Sequence, residues 1–274
     1  MKNNPKISVI TACYNHGKYI PEMIASVFEQ TFKEFEVIIV NDGSTDDTGT
    51  ILDNIIHPSL RVIHTENHGP AYARNLAIKN ATASIIMNLD ADDKIEPTLL
   101  EKAYNIFQKN PDAGIVYCDA DFFGSRSGSF KLEYSKENML YDNRIISQAF
   151  FKKKDWQQIG GYSEELIYGA EDWDLWLSIM ELEKDIIKIP ETLVHYRTYN
   201  NLKKSRSGKR RKSRIQILTT LVIIFRRHRK LYSAYPKAWK HFSHLEDKLK
   251  NEHCLVKMVK NLYFNYLKNI RFYG

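Results

Sequence analysis

Three short apolar runs, Ile7–Ala12, Phe35–Val40 and Ile85–Leu89, with a briefer fourth at Arg61–His64, limit what this chain can fold into. They are rich in Ile and Val, and each ends abruptly at a polar turn, the pattern of strands buried on both faces of a parallel sheet. Between them apolar residues return at helical spacing: Ile20, Met23, Ile24, Val27 and Phe28; then Ile51, Leu52 and Ile55; then Ala73, Leu76 and Ala77 behind Gly69-Pro70. Strand, helix and short turn alternating in this way predict an α/β fold with a mostly parallel, doubly wound sheet. Asp46 or Ser44 stands where it can cap the second helix. A helix over Leu99–Gln108 and a strand over Ala113–Cys118 continue the pattern. The polar, Gly/Ser-rich stretch Phe122–Asn143 reads as loop or short antiparallel strands. After Gly169-Ala170-Glu171-Asp172, the residues Trp173, Trp176, Leu177 and Met180 mark an amphipathic helix, with both tryptophans assigned to packing. Ile186–Ile189 and Thr192–Tyr196 read as two strands parted by Pro190.

The fourth strand runs into Asp90-Ala91-Asp92-Asp93, three carboxylates within four residues. Anions that close repel one another unless a cation sits among them, and hard oxygen ligands suit Mg²⁺ or Mn²⁺. The same residues read equally well as a helix cap, with Asp92 or Asp93 preceding Glu96-Pro97-Thr98.

The strand ends of a parallel sheet share one edge, where α/β sheets bind ligands. Tyr14-Asn15, Asn41-Asp42-Gly43-Ser44, Gly69 through Arg74-Asn75, and Asp90–Asp93 therefore converge. Together they offer an aromatic face, a carboxylate for a base or ribose edge, a cation and a metal site, which are the needs of a nucleotide diphosphate. No GxxxxGK[ST] or GxGxxG loop is present, so a P-loop or dinucleotide fold lacks its phosphate cradle.

The order of these motifs resembles family 2 glycosyltransferases. Ile7 through Asn15, Val40 through Asp46, Gly69-Pro70-Ala71-Tyr72-Ala73-Arg74-Asn75 and Asp90-Ala91-Asp92-Asp93 carry the likeness. Gly160-Gly161-Tyr162 and Glu171 through Trp176 resemble the family's acceptor-side region, so the match covers about residues 5–200. The resemblance implies a GT-A fold and an inverting, metal-dependent transfer of sugar from a nucleotide donor. It places Tyr14 against the uracil, Asp42 at the ring N–H, and Arg74 near the base or diphosphate. Asn15, Gly69 and Ala91 complete the donor-binding motifs, and Asp90 touches the ribose or sugar. Asp92 becomes the Mn²⁺ or Mg²⁺ ligand and Asp93 is left as a helix cap. Of the pair Glu171-Asp172, the second acid becomes the catalytic base. Relatives often carry a His two residues after a Tyr-Arg pair; here that position is Tyr199, and His195 is the neighbouring candidate for the metal.

The net charge of +7 divides unevenly: residues 1–199 hold 20 Lys+Arg against 30 Asp+Glu, and residues 200–274 hold 20 against 3. Eight of those bases fall between Lys203 and Arg214 with no acid among them. The chain thus reads as a catalytic domain over 1–202 and a basic, mainly helical extension over 203–274, its last helix carrying Leu255, Met258, Val259, Leu262, Tyr266 and Ile270 on one face. A polybasic segment followed by a basic amphipathic helix suits an anionic membrane surface with a lipid-linked acceptor. Two alternatives are a nucleic-acid-binding protein that uses the tail and a GT-A-like nucleotide binder without transfer. No zinc-finger, RNP-like or helix-turn-helix signal supports nucleic acid. Cys13, Cys118 and Cys254 are scattered and odd in number, which fits a reducing cytoplasm. Lys2 and Lys6 before Ile7–Cys13 mimic a signal peptide, but Asn15, His16 and Lys18 cut that run short. The expected setting is bacterial surface polysaccharide or glycolipid synthesis at the inner face of the plasma membrane.

Overall fold

The computed structural model describes residues 4–199 and 214–250. The chain divides into two compact units, Met1–Lys209 and Arg210–Gly274. In the first, β1 (Ile7–Cys13) is the run that mimicked a signal peptide, and it becomes an inner strand because nearly every residue is apolar on both faces. It is followed by α1 (Ile20–Phe28), β2 (Phe35–Asp42), α2 (Thr48–Asp53), β3 (Leu60–Thr65), α3 (Pro70–Asn80) and β4 (Ile85–Asn88). After β4 come β5 (Lys94–Ile95), α4 (Leu99–Lys109), β6 (Ala113–Gly124), β7 (Gly128–Phe130), α5 (Lys136–Met139), β8 (Phe150–Lys152), α6 (Lys153–Ile159), α7 (Glu171–Met180) and β9 (Asp185–Thr198).

Among the described residues nine strands form one sheet in the order β3-β2-β1-β4-β8-β6-β9-β5, with β7 paired to β6. The half built from β3, β2, β1 and β4 is parallel, as the alternating pattern predicts. The other half is mixed: β8 runs antiparallel to β4 and β6, while β9 runs parallel to β6 and antiparallel to β5. All eight residues of β2 are buried, and Val37 through Val40 are wholly so. Each such aliphatic side chain contributes about 1.5–3 kcal/mol of transfer free energy, which makes this half the anchor of the fold.

Two expectations from periodicity are corrected. The segments around Pro190 form one strand, β9, because a register shift lets Ile189 face Cys118 and Thr192 face Asp119, looping out Pro190 and Glu191. A bulge is where a strand tolerates a residue that has no N–H to donate. The helix after Asp172 is not amphipathic: Trp173 through Met180 are all buried, so α7 lies inside the unit. The polar stretch after Cys118 resolves into the extension of β6, the antiparallel hairpin partner β7 and the short α5.

The second unit contains α8 (Arg214–Arg227), α9 (Arg229–Ser233) and helix over 236–250. Phe225, Tyr232 and Phe242 form its buried aromatic cluster, with ring centroids 4.9–5.9 Å apart. The polybasic run over 203–213, the expected final helix and Cys254 lie outside the described residues.

Candidate active site

At the shared edge, the loops after β1 and β2 are tied together. Asn15 stands in left-handed backbone (φ 56°) at the end of β1. Its side-chain Oδ1 accepts from the Thr45 N–H at 2.7 Å, and its own N–H donates to Ser44 Oγ at 2.9 Å. Ser44 is therefore used across the loops and does not cap α2; Asp46 instead accepts from the Thr48 N–H at 3.0 Å. Tyr14, beside this knot, is 39% exposed. The Asp42 carboxylate is buried and accepts backbone N–H bonds from His68 and Gly69, both at 2.9 Å. It closes the chain between β3 and α3, and Gly69 (φ 92°) supplies the left-handed conformation that turn needs.

Arg74 points from α3 into the centre of the site. Its Nε donates to Asn88 Oδ1 at 2.9 Å, one Nη to Asp90 Oδ1 at 2.8 Å, and the other to Glu171 Oε1 at 2.6 Å. The guanidinium also lies 5.5 Å from the centroid of the Tyr162 ring. Burial works against its charge, but Asp90 and Glu171 more than offset that and raise its pKa. The cation thus faces three side chains of the chain itself, from the end of β4, the loop after it and the first turn of α7. Charges this deep persist only when paired and hydrogen-bonded.

The loop after β4 folds tightly, with the Asp93 N–H donating to the Asp90 carbonyl at 3.1 Å around the buried Ala91. Asp90 Oδ2 accepts from Ser147 Oγ at 3.0 Å and Gln148 Nε2 at 3.2 Å. Asp93 is buried, accepts from the Arg197 N–H at 2.8 Å and from Gln148 Nε2, and is pushed well above the usual carboxylate range by burial and then by Asp92 and Asp90. Neither Asp92 nor Asp93 caps a helix: β5 follows them directly, and α4 starts at Leu99 behind Thr98.

Asp92 is the carboxylate of this loop that is bound by neither Arg74 nor Gln148. Its Oδ2 accepts from the Tyr199 hydroxyl and lies 3.8 Å from His16 Nε2. Burial raises its pKa, against the opposing pull of His16 and Tyr199. The structure does not bring His195 to Asp92. Alternation along β9 turns that ring toward Asp121 and Glu96, and its two nitrogens meet their carboxylates at 2.6 and 2.7 Å. Among the described residues, no three His, Cys, Asp or Glu side chains are grouped as a metal cage. The arrangement fits instead a hard dication that takes one or two carboxylates from protein and completes its shell with phosphate oxygens and water. Asp92, partly exposed and not engaged by Arg74 or Gln148 as Asp90 is, is the carboxylate available for that.

Asp172 sits in the first turn of α7, whose entry is set by Ala170 in left-handed backbone (φ 71°), a conformation that costs a non-glycine residue about 1–2 kcal/mol. Asp172 Oδ2 accepts from Asn143 Nδ2 at 3.1 Å, and Oδ1 from the Trp173 N–H at 2.8 Å. Burial and then the charge of Glu171 push its carboxyl up to about 6, with Arg74 pulling the other way. The preceding turn is fixed by Gly161 (φ 86°), where a Cβ would lie 2.8 Å from Asn75 Oδ1 and 2.9 Å from Trp156 Nε1.

Sequence reasoning passed over Asn88, Asn143, Ser147, Gln148 and His16. Asn88 did leave a signal, as a polar residue inside an otherwise apolar strand. Gln148 and Asn143 left none, since their role depends on β8 bringing a distant loop to the end of β4.

The chain has recognisable relatives. The model of the family described as Glycosyl transferase family 2 matches residues 8–161. Chondroitin synthase of Escherichia coli is 32% identical over 191 residues, covering 66% of this chain and 27% of its own length. Glycosyltransferase GlyG of Streptococcus pneumoniae is 31% identical, covering 55% of this chain and 51% of its own. The putative teichuronic acid biosynthesis glycosyltransferase TuaG of Bacillus subtilis is 31% identical over 209 residues, covering 72% and 81%. The chain thus spans about a quarter and about half of the first two relatives. Among solved structures, S. aureus TarS 1-349 in complex with UDP-GlcNAc superposes with TM-score 0.68 at 23% identity, covering 81% of this chain and 66% of that one. The mannosyltransferase PcManGT from Pyrobaculum calidifontis, in complex with GDP-Man and Mn²⁺, gives 0.59 at 23% identity, covering 90% and 70%. These likenesses are of fold, and the fold is that of the GT-A glycosyltransferases.

Proposed function

The chain belongs to glycosyl transferase family 2, and from that premise we propose that it moves a sugar from a UDP-sugar to a saccharide or lipid-linked acceptor with inversion at the anomeric carbon. The observation that carries the reading is Asp172. It is a carboxylate pushed up to about 6, next in the chain to Glu171 and so beside the Arg74 network that reaches Asp90 on the donor side. An inverting transfer is one displacement, so it needs one base facing the acceptor hydroxyl. Asp172 takes that proton as the acceptor oxygen bonds to the anomeric carbon and the diphosphate leaves from the opposite face. A base of this kind is worth ~10²–10⁴-fold in rate, and a pKa nearer the working pH strengthens it. Glu171, paired with Arg74, orients the first turn of α7 and does not itself accept the proton.

Tyr14 offers its exposed ring to the uracil, and Asp42, positioned by the Gly69 turn, accepts from the uracil N–H. Asn15 holds the loop behind them, while Asp90 and the backbone at Ala91 line the ribose and sugar. Asp92 is the residue for Mn²⁺ or Mg²⁺. A cation there would neutralise the departing diphosphate as a Lewis acid. The extension over 203–274 carries the enzyme to an anionic surface at the cytoplasmic face, where surface polysaccharide or glycolipid is assembled. Supporting this, the second unit exposes Ile217 and Trp239, and its first helix ends in Arg226 and Arg227. Among the described residues no helix is long and apolar enough to cross a membrane.

The test is turnover of radiolabelled UDP-sugars with Mn²⁺ beside donor binding by calorimetry. Asp172→Asn should bind UDP like the wild type and lose transfer, and the wild-type rate should fall on acidification through about pH 6. Turnover by Asp172→Asn at the wild-type rate would remove Asp172 as the base.

A further inference from the structure

The proposed reaction gives the acceptor a base, Asp172, but no residue that binds its sugar ring, and one aromatic side chain near the acids of the site is unused. Tyr196 is 41% exposed near the end of β9, and alternation along the strand turns it to the face opposite His195 and Arg197. Among the described residues its hydroxyl has no hydrogen-bond partner. The N–H of the next residue, Arg197, donates to Asp93 Oδ1 at 2.8 Å, which sets this end of β9 beside the Asp90–Asp93 loop. Burial raises the Tyr196 pKa, and the charges of Asp90, Asp93, Asp92 and Asp172 accordingly help to raise it. In the sheet Tyr196 is level with Phe122 of β6, and the two rings meet edge to face at 6.1 Å and 85°. Arg126, in the turn between β6 and β7, lays its guanidinium 4.1 Å from the Phe122 centroid. Arg126 is exposed, and among the described residues it has no carboxylate partner. The other described arginines of this unit, Arg61, Arg74, Arg144 and Arg197, each have a carboxylate within 3.6 Å.

Resting on the glycosyltransferase reading, we propose that Tyr196, Phe122 and Arg126 form the acceptor subsite, and that the acceptor is a saccharide bearing a carboxylate or phosphate. A sugar ring has an apolar C–H face and a hydroxyl rim, and Tyr196 offers both an aromatic face and a hydroxyl able to donate or accept. The acids around the reaction centre repel an anion and turn the charged substituent outward. There the planar fork of Arg126, stacked and unpaired, suits a carboxylate or phosphate.

Calorimetry on the full chain, with UDP and Mn²⁺ present, tests this with three probes of equal length. They are an oligosaccharide of alternating N-acetylhexosamine and hexuronate, its carboxyl-reduced neutral counterpart, and an oligomer of phosphate-linked N-acetylhexosamines. The expected result is that one anionic probe binds about tenfold tighter than the neutral one, and which one does so identifies the anion. Arg126→Ala should erase that advantage. Tyr196→Ala should weaken the anionic and neutral probes alike by about tenfold, Tyr196→Phe should recover part of the loss, and neither should alter UDP affinity. Wild-type saccharide affinity in Tyr196→Ala, or a neutral probe bound as tightly as both anionic ones, would overturn the subsite. A wild-type chain that binds UDP but none of the probes would overturn it as well. Failure of the wild type to bind UDP would instead strike the glycosyltransferase reading.

Discussion

Replacing Arg74 by Leu removes the cation on which the site is centred. The guanidinium is 4% exposed and its partner Glu171 6%, with 2.6 Å between the bonded atoms, whereas Asp90 is 29% exposed and can turn partly to water. The loss therefore falls mainly on Glu171, left charged and buried without its arginine. Breaking a buried pair by removing one partner costs about 3–5 kcal/mol. In a unit of this size each kcal/mol is roughly 2–4 °C in melting temperature, so the variant should melt about 6–20 °C below the wild type by calorimetry. The double variant Arg74→Leu, Glu171→Leu removes the buried acid as well, leaving only the partly exposed Asp90 without its arginine, and should regain most of that loss. The same cation holds the Asp172 pKa down. In any surviving single-variant activity, the acid limb of kcat/KM should accordingly move to higher pH. A single variant melting within about 2 °C of the wild type, or a double variant no more stable than the single, would refute the role given to Arg74.

Asp172→Asn should stabilise the chain above pH 6. The folded carboxyl, raised by burial, holds a proton that the unfolded chain releases from the ordinary aspartate value of 3.8 upward, so wild-type stability falls as pH rises from there to about 6. The variant escapes that penalty and should resist urea by ~2–3 kcal/mol more at pH 7.5, an advantage absent at pH 3.5; equal stability at both would contradict the raised pKa. Asp92→Ala should make UDP affinity indifferent to Mn²⁺ and EDTA in calorimetric titrations, and a surviving Mn²⁺ dependence would place the cation elsewhere. Gly161→Ala must strain a left-handed turn and crowd Asn75 and Trp156. It should cost about 2–3 kcal/mol in chemical denaturation, and a neutral result would show that the turn relaxes easily.

Which parts of this protein were legible beforehand follows from the range of the forces involved. The parallel half of the sheet was open to reading because a strand buried on both faces must be mostly apolar, as Ile7–Cys13 and Phe35–Val40 are apart from Ser8, Thr11 and Glu36. In the mixed half β6 and β9 were legible as strands but their pairing was not. β8 is three residues long, and its pairing with β4 and β6 depends on chain far away. Pro190 was read as a break because local chemistry favours one; the ladder with β6 absorbed it as a bulge. Trp173 through Met180 looked amphipathic because Asp174 and Ser178 are polar, yet α7 is enclosed on every side and both residues are buried.

The site divides the same way. Sequence alone determined that Tyr14, Asp42, Gly69, Arg74 and Asp90–Asp93 share one edge, because the C-terminal ends of parallel strands have nowhere else to go. Tertiary structure decided what each does there. It turned Arg74 inward to join Asp90 with Glu171, made Asp93 a buried acid rather than a cap, sent His195 to Asp121 and Glu96, and enclosed Asp172 far enough to lift its pKa. Charge and burial act through space over a few ångströms, and neighbours that close in the fold can stand a hundred residues apart in the chain.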